Sequence, residues 1–203
     1  MHVTVGICTW NRAELLDQTL AQLRQLEIPT GVSWELLVVN NRCTDQTDEI
    51  LHKHAGGLPL KRIYEERQGK SHALNTATEQ ARGELILWTD DDVLVDRRWL
   101  AETVAAAKAN PGHSFFGGPI EPWFTQPPPQ WLLDNWEFVH AAFAARQLGP
   151  EIHEFNPHRL PFGANMTVRT ATQRKFLYSP KLGRVGASEV RGEETQVLRD
   201  MLA

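Results

Sequence analysis

The chain predicts an α/β fold: a doubly wound, mostly parallel sheet. Three observations carry that expectation. Between residues 3 and 109, four short apolar runs alternate with four stretches of helical pattern. The run 34–40, WELLVVN, is almost continuously apolar, as in a strand covered on both faces. Each run also ends in polar residues, and in open parallel sheets the carboxyl ends of the strands form the ligand edge.

The elements follow in order. Residues 3–9 form a strand. Asn11 then caps a helix, with Glu14 as the return half of a capping box and Leu16, Leu20 and Leu23 on one face. After the strand 34–40, helical pattern covers 44–54, a strand 60–65, a helix 71–81 and a strand 84–89. An Ala-rich helix over 96–109 is stopped by Asn110-Pro111-Gly112. The alternation then fails. Residues 115–121 suggest a strand, and 122–130 hold four prolines and cannot be regular. Residues 131–147 suggest a helix, 148–159 a loop, and 160–170 a strand with a glycine kink. A glycine-punctuated stretch, 183–192, leads to a helix near Glu193. The expectation is one domain over 1–203. It divides near residue 112 into the halves 1–112 and 113–203, and the natural protein would continue past Ala203.

Composition narrows the classes. The 203 residues suffice for a real core. A net charge of −4 gives no bulk attraction to nucleic acid. No run of 18 apolar residues suggests a membrane span, and a strand beginning at Val3 leaves no room for a signal peptide. Two cysteines, Cys8 and Cys43, make no disulfide framework. A cytoplasmic location is expected, with peripheral attachment at the inner face of a membrane as an extension of it.

The most informative residues are Asp90, Asp91 and Asp92, three carboxylates at the end of an apolar run. Like charges repel and resist desolvation there, and a hard divalent cation relieves both. The alternative is a helix N-terminus with extra acid. The other strand ends carry Thr9, Trp10 and Arg12; Asn41 and Asp45; and Arg67, Gly69 and Lys70. Gathered on one edge, they suit a nucleotide diphosphate, which needs a ring to stack on, polar partners and a cation. Trp10 is either that ring or a core residue. Asp45 is either a ligand contact or a helix cap. Arg67 and Lys70 either assist the diphosphate or are surface charges. Asn75, a poor helix former in mid-helix, makes a specific hydrogen bond or packing contact. Glu193 and Glu194 either complement a helix dipole or do chemistry.

The ordered segments VTVGICTWNRAELLDQTL, VVNNRCTDQT and RQGKSHALNTATEQARGELILWTDDD resemble the family 2 glycosyltransferases, as do FFGGPIEPWF, PPPQWL, LPFGANMTVR and RGEETQVLRDML. The second group is similar to a polysaccharide-biosynthesis branch. The resemblance implies a Rossmann-like sheet of the A-type glycosyltransferase fold, with 1–112 as the nucleotide-sugar-binding half and 113–203 as the acceptor and catalytic-base half. It also implies Mn²⁺- or Mg²⁺-dependent, inverting transfer from a nucleotide diphosphate-sugar to a saccharide or lipid-linked saccharide. Any membrane association would lie outside this segment. Carried over by residue, Trp10 stacks on the base and Asn41 takes the place of an acid that reads uracil, so a UDP-sugar is only weakly favoured. Thr9, Arg12, Asp45, Arg67, Gly69, Asn75, Asp90 and Asp91 join the donor site. Asp92 with Asp90 binds metal, Glu194 is the catalytic base, and Glu193 falls on the other acid of the pair; because adjacent helical residues do not share a face, Glu193 is expected to point elsewhere, toward support of the loop or acceptor. A nucleotidyltransferase is the rival enzyme, but it needs a Gly-rich phosphate loop, and residues 3–12 hold only Gly6. A phospho-receiver domain would end earlier, and a binding-only domain would not turn donor over.

Overall fold

The computed structural model of the chain describes residues 1–149, 151–185 and 191–203. Four strands, β1 (His2–Thr9), β2 (Ser33–Asn40), β3 (Leu60–Tyr64) and β4 (Leu85–Trp88), pair in parallel. Two later strands, β5 (Phe115–Gly117) and β6 (Met166–Arg169), extend the sheet antiparallel, giving the order β3-β2-β1-β4-β6-β5. β6 lies directly against β4, with Leu87 opposite Thr167. Residues from the later half of the sequence are thus built into the same sheet as the four parallel strands of the first half.

Alternation along the strands sorts the core into two layers. Val5, Leu36, Val38, Leu85 and Leu87 face α1 (Ala13–Leu23), α2 (Thr47–Ala55) and α4 (Trp99–Ala109). Leu37, Val39, Ile86 and Trp88 face α3 (Lys70–Gln80) and α8 (Glu193–Leu202). Period-2 alternation within unbroken apolar runs is what lets one strand serve both layers. Burying each such Leu or Val stabilises the fold by roughly 1.5–3 kcal/mol relative to exposure. No helix among the described residues is long and apolar enough to cross a membrane.

Several local expectations give way. Asn11 does not cap α1: it is left-handed (φ 52°), and its side-chain oxygen accepts from the Thr44 amide at 2.7 Å. The first helical amide, Ala13 N, donates instead to Asp45 at 2.9 Å. The helix expected at 96–109 begins only at Trp99, because the Asp96 carboxylate turns the chain by accepting from Arg98 N. Residues 131–147 form no continuous helix. They break into α5 (Gln130–Asp134), α6 (Trp136–Val139) and a 3₁₀ turn at His140–Phe143. Asn135 causes the first break, since its side chain takes the Trp131 carbonyl, and left-handed Ala144 ends the run. The strand expected at 115–121 stops at Gly117. That at 160–170 is a 3₁₀ turn, Gly163–Asn165, then β6 and the short α7 (Thr170–Gln173). Of the stretch 183–192, residues 186–190 lie outside the described residues, as does Pro150 of the expected loop.

Candidate active site

The carboxyl ends of β1, β2 and β4 open into a cleft of about 1780 Å³. Thr9, Trp10, Arg12, Asn41, Gly69, Asp90, Asp91, Asp92, Glu193 and Glu194 all line it. Parallel pairing places Thr9 beside Asn40, and β4 ends at Trp88 opposite Gly6, so that the Asp triplet follows on the same edge and the strand-end motifs converge. Trp10 is 41% exposed in the cleft, not buried in the core.

The acid triplet is divided between two cations. The Arg12 guanidinium lies 3.2 Å from Asp91 Oδ1 and 2.7 Å from Asp92 Oδ2. Lys70 Nζ lies 3.3 Å from Asp90 Oδ1. Asp91 is the buried member. Burial pushes its carboxyl up to about 6 against the pull of the Thr9 hydroxyl and Arg12, with Asp92 and Asp90 adding repulsion. Asp90 and Asp92 stay partly open, at 35% and 41% exposure.

Lys70 also reaches the acids that open α8. Its Nζ is 2.8 Å from Glu194 Oε1 and 3.8 Å from Glu193 Oε1. Burial would lower the Lys70 ammonium, but Asp90 and Glu194 outweigh it and hold it well above its ordinary value. Burial would likewise raise Glu194, but the charge and hydrogen bond of Lys70 hold it below the usual carboxylate range. Glu193 shifts upward through burial and repulsion from Glu194. Its Oε2 is buried without a hydrogen-bond partner among the described residues. The expectation that Glu193 points elsewhere is therefore corrected. In the first turn of α8 both carboxylates turn toward the same ammonium. Gly163 makes room for this, because a Cβ there would press on Glu194 Oε1.

Three expected donor contacts do not line the cleft. Asp45 spans two helix starts, accepting from Ala13 N at 2.9 Å and from Thr47 N and Oγ1 at 3.2 and 2.6 Å. Arg67 is taken by Glu65 through its Nε, a terminal nitrogen and its own amide. That pairing, helped by Thr76, holds the Glu65 carboxyl down at about 2. Asn75 exchanges hydrogen bonds with the Tyr178 backbone, 2.8 Å each way, and with Ser71, which donates to the Leu182 carbonyl, pins the 178–182 segment to α3. Asn41 does line the cleft, but its amide is engaged. It donates to the Glu65 and Arg67 carbonyls and accepts from Gly69 N at 2.8 Å.

The sequence did not single out Gly163, Asn165 or Trp99. Asn165 accepts from the Trp99 indole at 2.9 Å and donates to the Pro119 carbonyl, tying α4 and the 119 loop to the cleft wall. The usable signal was the polar GAN inside an apolar 160–170 stretch. Arg184 and Arg191, on either side of 186–190, also line the cleft. Among the described residues no three or more His, Cys, Asp and Glu side chains gather as a metal-holding group. Arg12 and Lys70 draw the Asp carboxylates to opposite sides. The donors themselves, open carboxylate oxygens, are still of the kind a hard divalent cation takes.

Solved glycosyltransferases of the A-type fold share this architecture, and the chain has that fold. A mannosyltransferase from Pyrobaculum calidifontis, solved with GDP-Man and Mn²⁺, aligns at TM-score 0.66 and 24% identity over 96% of this chain and 50% of its own. Staphylococcus aureus TarS with UDP-GlcNAc aligns at 0.70 and 22% identity over 97% of this chain and 53% of its own. The sequence settles the family: residues 4–162 match glycosyl transferase family 2, and the chain belongs to it. Among curated relatives, the Rhizobium meliloti succinoglycan biosynthesis protein ExoM is 23% identical over 65% of this chain and 43% of its own length. The poly(ribitol-phosphate) β-N-acetylglucosaminyltransferase TarS is 30% identical over 52% of this chain and 18% of its own. The chain thus spans less than half the length of these relatives.

Proposed function

We propose that the chain carries out metal-dependent, inverting transfer of a sugar from a nucleotide diphosphate-sugar to a hydroxyl of a saccharide or lipid-linked saccharide. The observation that carries the reading is that Asp90, at the end of β4, and Glu194, at the start of α8, face one cleft and share one ammonium. Donor and acceptor chemistry need that adjacency. The donors bound by the two solved neighbours, GDP-Man and UDP-GlcNAc, support the donor class. With the Asn41 amide engaged by backbone, the choice between guanine and uracil stays open to measurement.

On this reading Trp10 stacks on the base and Arg12 turns from Asp92 toward the diphosphate. Asp90 and Asp92 would hold Mn²⁺ or Mg²⁺, which neutralises charge growing on the leaving diphosphate. The Glu194 carboxylate, kept ionised by Lys70, accepts the proton of the acceptor hydroxyl as that oxygen attacks the sugar carbon. Attack from the face opposite the diphosphate inverts the anomeric centre. Where the acceptor is lipid-linked, the chain would act at the cytoplasmic face of a membrane.

Calorimetry with UDP and GDP, with Mn²⁺ or with chelator, tests the donor half, and hydrolysis of their sugars tests turnover. Binding that needs the cation, and Glu194→Gln turnover lower by about 10²–10⁴ with binding retained, are expected. Equal affinity in chelator, in both wild type and Asp92→Ala, would remove the metal. Unchanged turnover in Glu194→Gln would remove the base.

A further inference from the structure

We infer that Lys70 is the positioning residue of the site: its ammonium sets the acceptor-side acid Glu194 at a fixed distance from the donor-side acid Asp90. The inference rests on Glu194 being the base.

Local preference does not explain this lysine. It is the first residue of α3, where the positive end of the helix dipole disfavours a cation. The backbone is nevertheless fixed there from three directions. Gly69, at φ 134°, allows a turn that other residues resist. Its amide donates to Asn41 Oδ1 at 2.8 Å, and Lys70 N donates to the Arg184 carbonyl at 3.0 Å. The side chain then meets Glu194 at 2.8 Å, Asp90 at 3.3 Å and Glu193 at 3.8 Å. An ammonium carries three donors, so it can hold three acceptors without a planar geometry. Side-chain exposure is 27% for Lys70 and 18% for Glu194, so solvent screens their contact only weakly.

The consequence is positional. Asp90 follows the end of β4, whereas Glu194 stands in the first turn of α8, whose Val197 and Leu198 pack in the core. The helix fixes where the Glu194 side chain starts, and the ammonium fixes where its carboxylate ends; without that ammonium, two acids facing one cleft repel and the carboxylate loses the partner that aims it at an acceptor. A misplacement of about 1 Å in a catalytic group costs on the order of 100-fold in rate. A lysine serving only the diphosphate would instead show its effect in donor affinity.

The test uses the 203-residue chain with Lys70→Met and Lys70→Arg. Hydrolysis of UDP-GlcNAc and GDP-Man in Mn²⁺ gives kcat, and calorimetry of UDP and GDP gives donor affinity. Lys70→Met should lower kcat about 100-fold and leave Kd within about threefold, and Lys70→Arg should recover kcat to within about tenfold of wild type. Independently of activity, a urea-unfolding cycle of Lys70→Met with Glu194→Gln should show a coupling of about tenfold or more in the unfolding constant. Should Lys70→Met not fold, Lys70→Gln takes its place in both measurements. Additive effects in the cycle would overturn the inference, as would a Kd weakened more than about tenfold with kcat unchanged. If the wild type hydrolyses neither donor, the proposed function fails on its own, and the cycle still decides whether Lys70 holds Glu194.

Discussion

Gly163→Ala isolates the placement of Glu194 from its chemistry. The residue opens the 3₁₀ turn before β6, and no positive φ requires glycine there. What requires it is space. A Cβ would lie 3.0 Å from Glu194 Cδ and 3.2 Å from its Cγ, and closer still to Oε1. Comfortable carbon contacts begin near 3.5–4.0 Å, so the carboxylate must retreat by about 1 Å. A retreat of that size stretches the 2.8 Å contact with Lys70 beyond hydrogen-bond range. The expected loss is about 100-fold in turnover, or about 2.7 kcal/mol of barrier. Stability should fall slightly: the lost Lys70 contact, at the tenfold coupling expected above, costs about 1.4 kcal/mol, and the restriction of the unfolded chain by Gly→Ala offsets about 0.4–1 kcal/mol of it. Donor hydrolysis, nucleotide calorimetry and a thermal melt decide the case together. Turnover within threefold of wild type, in a variant that melts cooperatively, would refute the account of Gly163 and weaken that of Glu194.

Three further outcomes are expected. Trp10→Ala should weaken UDP or GDP binding by about 1–3 kcal/mol, the size of base–aromatic stacking, without lowering the melting temperature; calorimetry would expose a ring that contributes nothing. Asp45→Ala should do the reverse, removing the cap of α1 and the turn that starts α2 at about 1 kcal/mol each, a melting shift of about 4–8 °C, with nucleotide affinity unchanged. The Glu65 carboxyl is depressed in the folded state, so its contribution is complete above the ordinary carboxylate range and is lost as pH falls toward about 2. Urea unfolding across that range should show less acid sensitivity in Glu65→Gln, and identical pH curves would mean that the Arg67 pairing does not persist in solution.

The parallel core was legible because its signals are local. Unbroken apolar runs and the polar residues closing them are properties of short segments, and parallel pairing alone brings those segments to one edge. The reading gave way where a side-chain hydrogen bond, near or distant in sequence, overrode the local pattern. Asn11 and Glu14 have the spacing of a capping box, yet Asp45 in the next loop takes the helix start and Asn11 turns to Thr44. Asp45 stood open between a ligand contact and a helix cap, and Arg67 between a diphosphate contact and a surface charge, because their residue types suit both. Their hydrogen bonds were already committed to Thr47 and Glu65. Residues 131–147 have helical composition, but a side-chain bond from Asn135 divides them. Glu194 could be named from its motif, whereas its partner Lys70 stands at the start of another helix, and no spacing in the sequence joins the two.

The antiparallel placement of β6 bears on how the chain can be divided. The β4 edge, from Leu85 to Trp88, is covered by Met166 to Arg169. A fragment ending near residue 112 would therefore leave four buried apolar residues on an unpaired edge, a template for aggregation. The first half should not be obtainable as a well-behaved piece, although it carries most of the family motifs. The same pairing bars a hinge between the two halves, because opening one would unzip the sheet. Recombination with other members of the family should cut within 119–149, outside the sheet, and keep 161–170 with the β4 it was built against.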